Sequence, residues 1–367
     1  MSGILKSLFG GKAKPKPIVE IRPQGMRIEL SPGETILQAA LAQGIAYPHN
    51  CTVGTCGSCK SHLTQGTVKA LSDFGYTLSK EELAAGYILA CQSVPREALT
   101  VVEIADLGAD LPPPESFSGR VVSTEALTHD IVKMIVEADR PVKFVAGQYA
   151  TFRTSNMPGR GRNYSFAEAP QRAGSKSLVF FVRKVPGGKF TEALFAGKLS
   201  GQTLDIEAPH GSFRLRPGNA EMICIAGGSG LAPLISVLED MRKRRVRRPC
   251  TLLFGARTQA DLYALDQIAN LGSSWLEPFS FKPVLSHEPP DSAWKGERGW
   301  VTDFIAKRSA HTAWDEGEGY MCGPPPMIDA GIAKLIELGM PLERIHYDKF
   351  TDGPPDGDPM SVGLAVT

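Results

Sequence analysis

Three cysteines in one short loop carry the plainest chemistry in this sequence. Pro48 to Lys60 reads P-H-N-C-T-V-G-T-C-G-S-C-K, which spaces Cys51, Cys56 and Cys59 as C-x4-C-x2-C, and Cys91 follows after a long gap. Four thiolates in that order suit a plant-type [2Fe–2S] cluster, with three ligands on one tight loop and the fourth from elsewhere. Gly54 and Gly57 stand between the ligands, where the backbone must turn sharply and bring its N–H groups close to sulfide. A structural zinc site is the competing reading of four cysteines, but C-x4-C-x2-C is unusual for zinc. A cluster would make the chain a carrier of single electrons.

Three further stretches have the composition of ligand-binding loops. Arg162-Asn163-Tyr164-Ser165 follows a loop rich in Gly and Arg. Gly187-Gly188 precede a short helical stretch that contains Thr191, and glycines opening a helix leave N–H groups and a positive dipole end suited to a phosphate. Gly227-Gly228-Ser229-Gly230 follows the apolar run Met222–Ala226. A glycine turn between a first strand and its helix is where α/β sheets bind pyrophosphate, although G-G-S-G is not the G-x-G-x-x-G fingerprint.

The elements around these loops divide the chain. With 367 residues it is too long for one ordinary core. Residues 1–17 form a flexible tail with an apolar patch, Ile4, Leu5, Leu8 and Phe9, among lysines; a weak surface anchor is the alternative reading. Residues 18–106 read as two short strands turning at Gln24-Gly25, a helix from Thr35 to Gln43, the cysteine loop, a strand at Lys60–Leu63, a helix at Ser79–Ala84, and a closing strand at Leu99–Ile104. That order suits a β-grasp ferredoxin domain of the α+β class. Residues 107–115, with three consecutive prolines, form a stiff linker. Residues 116–216 have the alternation and Gly/Pro punctuation of an antiparallel β-barrel. Residues 217–367 alternate strand and helix, as an open parallel α/β sheet does, with a helix expected over Leu234–Arg244.

Composition excludes several classes. A net charge of +1 argues against a nucleic-acid partner. No apolar run is long enough to span a bilayer, and the N-terminus lacks a signal-peptide pattern, so the cytoplasm is the expected compartment. Seven cysteines there point to metal or redox work; Cys224 and Cys250 fall in expected strands and read as core. The basic run Arg242–Arg248 reads as a helix end meeting its dipole and then water.

Taken together, the ferredoxin loop, R-N-Y-S, G-G-S-G-L-A-P and C-G-P-P-P-M at Cys322–Met327 resemble the NADH-dependent reductase components of bacterial multicomponent oxygenases. These are ferredoxin–NADP reductase-type flavoproteins with a fused N-terminal [2Fe–2S] domain. The short tail, the H-N-C-T-V-G-T-C-G-S-C-K loop and the C-G-P-P-P-M segment resemble most the branch that serves xylene monooxygenase.

The resemblance implies FAD, NADH and a [2Fe–2S] cluster as cofactors. It implies that Cys51, Cys56, Cys59 and Cys91 hold the cluster. Arg162 would pair with the FAD pyrophosphate, Tyr164 would lie against the flavin–ribityl region, and Ser165 would sit near flavin N5. Gly187, Gly188 and Thr191 match the family's G-G-x-x-S phosphate element, with threonine for serine. Gly227, Gly228 and Gly230 would hold the NADH pyrophosphate. Cys322, with Gly323, Pro324 and Met327, would flank the nicotinamide, and Phe350 in H-Y-D-K-F would cover the flavin. Arg257 and Asp261 leave the choice between NADH and NADPH open by residue type, and the resemblance favours NADH. Electrons would run from NADH to FAD to the cluster and on to an oxygenase or hydroxylase, membrane-embedded or soluble, or to an intermediary ferredoxin. The chain itself would be monomeric, cytoplasmic or peripheral at the inner face of the membrane. A stand-alone or respiratory NADH oxidoreductase feeding a quinone or soluble carrier is the alternative.

Overall fold

The computed structural model describes residues 16–45, 47–49, 54, 57–104, 111–154, 157–308 and 312–350. Cys51, Cys56, the apolar patch of the tail and the last seventeen residues lie outside them. The chain divides into two compact units, Met1–Ala109 and Asp110–Thr367.

The first unit holds β1 (Ile18–Arg22), β2 (Met26–Glu29), α1 (Ile36–Ala42), β3 (Lys60–Gln65), β4 (Val68–Ala70), α2 (Lys80–Ala84), β5 (Tyr87–Leu89), β6 (Ser93–Pro95) and β7 (Leu99–Glu103). Five strands form a mixed sheet in the order β2-β1-β7-β3-β5. Helix α1 begins at Thr35, whose hydroxyl accepts from Gln38 N–H while the Gln38 side chain accepts from Thr35 N–H. Such a reciprocal cap satisfies two of the orphan donors at a helix start. Its buried face, Ile36, Leu37, Ala39 and Ala40, packs on Val19, Ile21, Ile28 and Val102 of the sheet.

The second unit begins with β8 (Glu115–Ala126), β9 (Ile131–Val142), β10 (Tyr149–Thr154), β11 (Met157–Ser165), β12 (Ser175–Arg183), α3 (Lys189–Phe195) and β13 (Thr203–His210). The six strands are antiparallel in the order β11-β10-β13-β8-β9-β12. A bridge between Phe166 and Phe180 joins the two ends and closes the sheet into a barrel. Inward residues of alternating strands, among them Val121, Met134, Phe152 and Phe180, fill it.

The same unit continues with β14 (Met222–Gly227), α4 (Leu231–Lys243), β15 (Cys250–Ala256), α5 (Leu265–Ser273), β16 (Phe279–Leu285), β17 (Glu297–Arg298), β18 (Glu318–Gly323), α6 (Pro325–Glu337) and β19 (Ile345–Lys349). All pairs in this sheet are parallel, in the order β17-β16-β15-β14-β18-β19. Every residue of β14 and β18 is buried, as central parallel strands covered on both faces must be. Helix α4 starts at Leu231, three residues before the expected Leu234. Pro233 falls in its first turn, where a missing N–H costs nothing. One core joins the barrel to the sheet: Ile131, Ala146, Ala167, Phe181 and Phe213 pack with Cys224, Leu234, Phe254 and Cys322.

The basic run Arg242–Arg248 does not end wholly in water. Arg245 takes a left-handed conformation (φ 57°), and the chain turns back under the sheet. Arg248 is fully buried there, paired with Glu318 at 2.9 Å and donating to the carbonyls of Ala220 and Arg216.

Candidate functional site

Strand β3, β5 and the 3-10 turn Ala90–Gln92 bring together Cys59 and Cys91, two of the four cysteines that the sequence proposes as cluster ligands. Cys59 and Cys91 are both buried, and the Cys91 N–H donates to Cys59 Sγ at 3.4 Å. Ala90 N–H donates to the Cys59 carbonyl at 3.1 Å, which pins the turn to the start of β3. Ser61 donates to that carbonyl at 3.1 Å, so its single proton is used, and the buried Tyr47 hydroxyl must donate to Ser61 Oγ at 2.5 Å. Lys60 and the fully buried Glu82 pair at 2.5 Å, and Glu82 also accepts from Ser79 N–H, fastening β3 to α2. Gly54 has φ +81°, and its carbonyl accepts from the Thr77 hydroxyl at 2.6 Å. A Cβ there would lie 2.9 Å from Gln92 Cγ and 3.1 Å from Ser72 Oγ. Gly54 is thus wedged against Ser72 and against Gln92, the neighbour of Cys91.

In the barrel, β10 and β11 pair Tyr149 with Ser165, Ala150 with Tyr164, and Phe152 with Arg162. Alternation therefore splits R-N-Y-S between two faces. Arg162 and Tyr164 share the face of Phe152 and α3; the Tyr164 ring lies 5.4 Å from Phe190 and 5.7 Å from Phe152. Ser165 is buried on the opposite face beside Tyr149, which tilts over His210 at 5.6 Å.

The structure thus gathers Arg162, Tyr164 and the Gly187-Gly188 turn at one place. Within that turn the hydroxyl of Thr191 accepts from Val185 N–H at 3.1 Å and lies within bonding distance of the Val185 and Gly188 carbonyls. Gly187 N–H donates to Glu192 at 3.0 Å, and Gly188 N–H to the Val185 carbonyl. Thr191 therefore shapes the turn, and the amides of the two glycines already have acceptors.

The third place is the switch point of the parallel sheet. Strands β14 and β18 are neighbours, but the chain proceeds from them in opposite directions along the sheet, which opens a crevice at their carboxyl ends. Gly227, Gly228 and Gly230 line one side and Cys322, Gly323, Pro324 and Met327 the other. The glycines differ in what they do. A Cβ on Gly230 would stand 2.1 Å from the Cys322 carbonyl oxygen, and one on Gly227 would stand 2.6 Å from Met327 Sδ. A Cβ on Gly228, with φ +54°, would meet nothing within 4 Å. Tyr263 donates to the Gly228 carbonyl at 2.9 Å and stands edge-on to Phe181 of the barrel, tying the turn to it. Pro325 and Pro326 leave the first turn of α6 short of N–H donors.

Cys322 is fully buried on the sheet face that carries the barrel residues. Burial raises its thiol pKa well above the ordinary range, helped by Asp348. Asp348 is its register partner on β19, and burial pushes that carboxyl up to about 7. Phe350 follows β19, half-buried, and donates its N–H to the Gly323 carbonyl at 2.8 Å. The Phe350 backbone is thereby held beside the crevice.

Sequence reasoning singled out neither Tyr263 nor Asp348. Tyr263 closes the G-A-R-T-Q-A-D-L-Y segment and Asp348 lies within H-Y-D-K-F, so both were in view without a signal for their role. Arg257 and Asp261 lie just past β15; the Arg257 guanidinium contacts Asp130 at 3.0 Å and Asp261 at 3.5 Å.

Three family models match the chain. Residues 19–96 match the family model of a 2Fe-2S iron-sulfur cluster binding domain, residues 118–215 that of an oxidoreductase FAD-binding domain, and residues 224–331 that of an oxidoreductase NAD-binding domain. The xylene/toluene monooxygenase electron transfer component of Pseudomonas putida is 43% identical over 93% of this chain and 95% of its own length. The phenol 2-monooxygenase reductase component of Pseudomonas sp. (strain CF600) is 35% identical over 90% of this chain and 94% of its own. The crystal structure of the Amycolatopsis cytochrome P450 reductase superposes with a TM-score of 0.68 at 34% identity, covering 91% of this chain and 99% of that one. The chain therefore belongs to the family of oxygenase reductase components, oxidoreductases that join a [2Fe–2S] cluster domain to FAD- and NAD-binding domains.

Proposed function

We propose that this chain draws electrons from NADH at the β14/β18 crevice and delivers them singly, through its ferredoxin domain, to the oxygenase component of a hydrocarbon or aromatic hydroxylating system. The observation that carries this reading is the placement of the glycine turn and Cys322 at the switch point, on the sheet face that shares a core with the barrel. When bound, FAD supplies the exchange between two-electron hydride chemistry and single electrons, and the [2Fe–2S] cluster supplies the single-electron exit.

The residues present fit those groups. Cys59 and Cys91 offer two buried sulfurs, one already accepting a backbone N–H, as cluster thiolates require. Cys51 and Cys56 complete the ligand set by their spacing and lie outside the described residues. Arg162, on the α3 face, suits the FAD pyrophosphate through a bidentate fork. The donors there are Arg162 and the first-turn amides of α3, since Gly187 and Gly188 spend theirs within the turn. Tyr164 offers an aromatic face to the flavin–ribityl region, and Ser165 a buried hydroxyl beside Tyr149. The glycine turn takes the NADH pyrophosphate, with Gly228 the one position open to it. Cys322 and Phe350 would hold nicotinamide and flavin at the crevice, where the close approach that hydride transfer needs would be made.

Partner and location follow the same logic. The relatives are reductase or electron-transfer components, so the acceptor here is a terminal oxygenase or an intermediary ferredoxin. Among the described residues no helix is long and apolar enough to cross a membrane. We read the chain as a monomer, cytoplasmic or peripheral at the inner face of the membrane.

The test separates two acceptors. With the FAD- and cluster-loaded protein, Cys91→Ser should abolish NADH-driven cytochrome c reduction and leave ferricyanide reduction near the wild-type rate. Equal loss of both activities would mean that the cysteine site only holds the fold together.

A further inference from the structure

Arg257 follows β15, one strand from the glycine turn, where a dinucleotide-binding sheet receives the adenosine ribose. An arginine at that place is the usual partner of the 2′-phosphate that distinguishes NADPH from NADH. Here the guanidinium is already engaged. Its NH2 donates to Asp130 Oδ2 at 3.0 Å and lies 3.5 Å from Asp261 Oδ1.

Asp130 does not belong to the nucleotide-binding sheet; it sits in the turn between β8 and β9 of the barrel. That turn presets it: Thr128 Oγ1 donates to Asp130 Oδ1 at 3.1 Å, and Arg183 Nε to Oδ2 at 3.3 Å. Asp261 is fixed as firmly, accepting from Thr258 N–H at 2.8 Å and Thr258 Oγ1 at 2.9 Å. The two acids are 18% and 12% exposed, whereas Arg257 is 50% exposed, so the arginine is laid across carboxylates that do not depend on it for their position. His129 fills the remaining side, 3.4 Å from Asp261 and 3.3 Å from Arg257.

This arrangement treats the two coenzymes differently. A ribose 2′-hydroxyl needs only an acceptor, and Asp261 Oδ1, with its longer contacts, provides one. A 2′-phosphate brings nearly two negative charges. To reach Arg257 it would stand beside both aspartates, whose charges oppose its own, and share a guanidinium already ion-paired with Asp130.

We propose that Asp130, reaching over from the barrel, sets the preference for NADH by holding Arg257 in an ion pair and opposing a 2′-phosphate. It is a specificity-determining residue that acts through Arg257. The proposal rests on the reading that the β14/β18 crevice binds the nicotinamide coenzyme.

The experiment measures kcat/KM for NADH and for NADPH with ferricyanide as acceptor, on the full-length FAD-loaded protein. Asp130→Asn should raise kcat/KM for NADPH about tenfold or more, since one released charge-assisted bond is worth roughly 10- to 100-fold, while NADH stays within about threefold. Adding Arg257→Gln to Asp130→Asn should remove that gain. An unchanged NADPH-to-NADH ratio in Asp130→Asn, or a gain that survives without Arg257, would overturn the proposal.

If Asp130→Asn fails to fold, Arg257→Gln alone decides. It should leave the ratio within about twofold, and a selective tenfold loss of NADPH use would show that Arg257 already serves the phosphate. Failure of the underlying reading looks different, because the wild-type protein would then reduce ferricyanide with neither coenzyme.

Discussion

Replacing Gly230 by alanine isolates one claim about the crevice, that its two walls touch through backbone. Gly230 has φ −62° and ψ −8°, a conformation alanine adopts freely. Removing glycine there even lowers the entropy of the unfolded chain, which favours the variant by about 0.4–1 kcal/mol. Contact points the other way. The new Cβ would stand 2.1 Å from the Cys322 carbonyl oxygen, 2.4 Å from its carbon and 2.7 Å from Gly323 N. The closest of these is about 1.3 Å inside the 3.4 Å at which ordinary contact begins, and all three atoms are backbone of a buried strand.

Neither side can rotate away, so β18 and the start of α4 must part. Overpacking of this kind costs about 1–3 kcal/mol, more than the entropy returns, and in a unit of this size each kcal/mol lowers Tm by about 2–4 °C. The displacement falls on Cys322 and Gly323, so hydride transfer should slow by about 100-fold, the penalty typical of a misplacement near 1 Å. Stopped-flow reduction of the flavin by NADH measures the rate, and calorimetry measures Tm. Gly228→Ala is the control. Its φ of +54° costs about 1–2 kcal/mol of backbone strain, but its Cβ does not press on β18, so it should raise KM for NADH while its reduction rate at saturating NADH falls far less than that of Gly230→Ala. A Gly230→Ala protein matching wild type in both Tm and reduction rate would refute the reasoning.

Three other expectations follow from single contacts. Thr191→Val leaves the Val185 N–H without its acceptor and loosens the turn before α3, so fluorescence titration should show FAD binding weakened about tenfold, with Thr191→Ser close to wild type. Arg248→Met strands Glu318 in the core and should cost about 3–5 kcal/mol in urea unfolding, part of it recovered when Glu318→Gln is added. Asp348 has its carboxyl raised to about 7 by burial, so its neutral form is favoured in the folded state and its ionisation destabilises the fold as pH rises towards and through that value. Asp348→Asn should therefore gain Tm on the wild type between pH 5 and pH 8, and a constant difference across that range would contradict the assignment.

The elements that position these sites were legible where local chemistry decides structure. Thr35 and Ser79 open helices with capping boxes, and both lie where the sequence placed helix starts. The uninterrupted apolar run at Met222–Ala226 reads as a buried parallel strand, and the glycine turn after it marks the crevice. The family motifs are equally local, which is why the cysteine loop, R-N-Y-S and C-G-P-P-P-M could be found without coordinates.

What composition hid depends on where the chain turns back. Arg248 ends a run that looks uniformly solvated, yet the left-handed turn at Arg245 carries it beneath the sheet to Glu318, seventy positions away in sequence. Thr191 offers a hydroxyl of the right type, but only the register of α3 shows it facing Val185. Asp130 sits in an ordinary polar turn, and its partnership with Arg257 exists only because the barrel packs on the sheet.

The central claim is that electrons entering from NADH leave through the cysteine site. Low-temperature electron paramagnetic resonance after anaerobic addition of NADH tests it most directly. The wild-type protein should show the rhombic signal of a reduced [2Fe–2S] cluster, and Cys59→Ser should lose that signal while NADH still bleaches its flavin. A wild-type protein whose flavin is bleached by NADH but whose cluster stays silent would contradict the account.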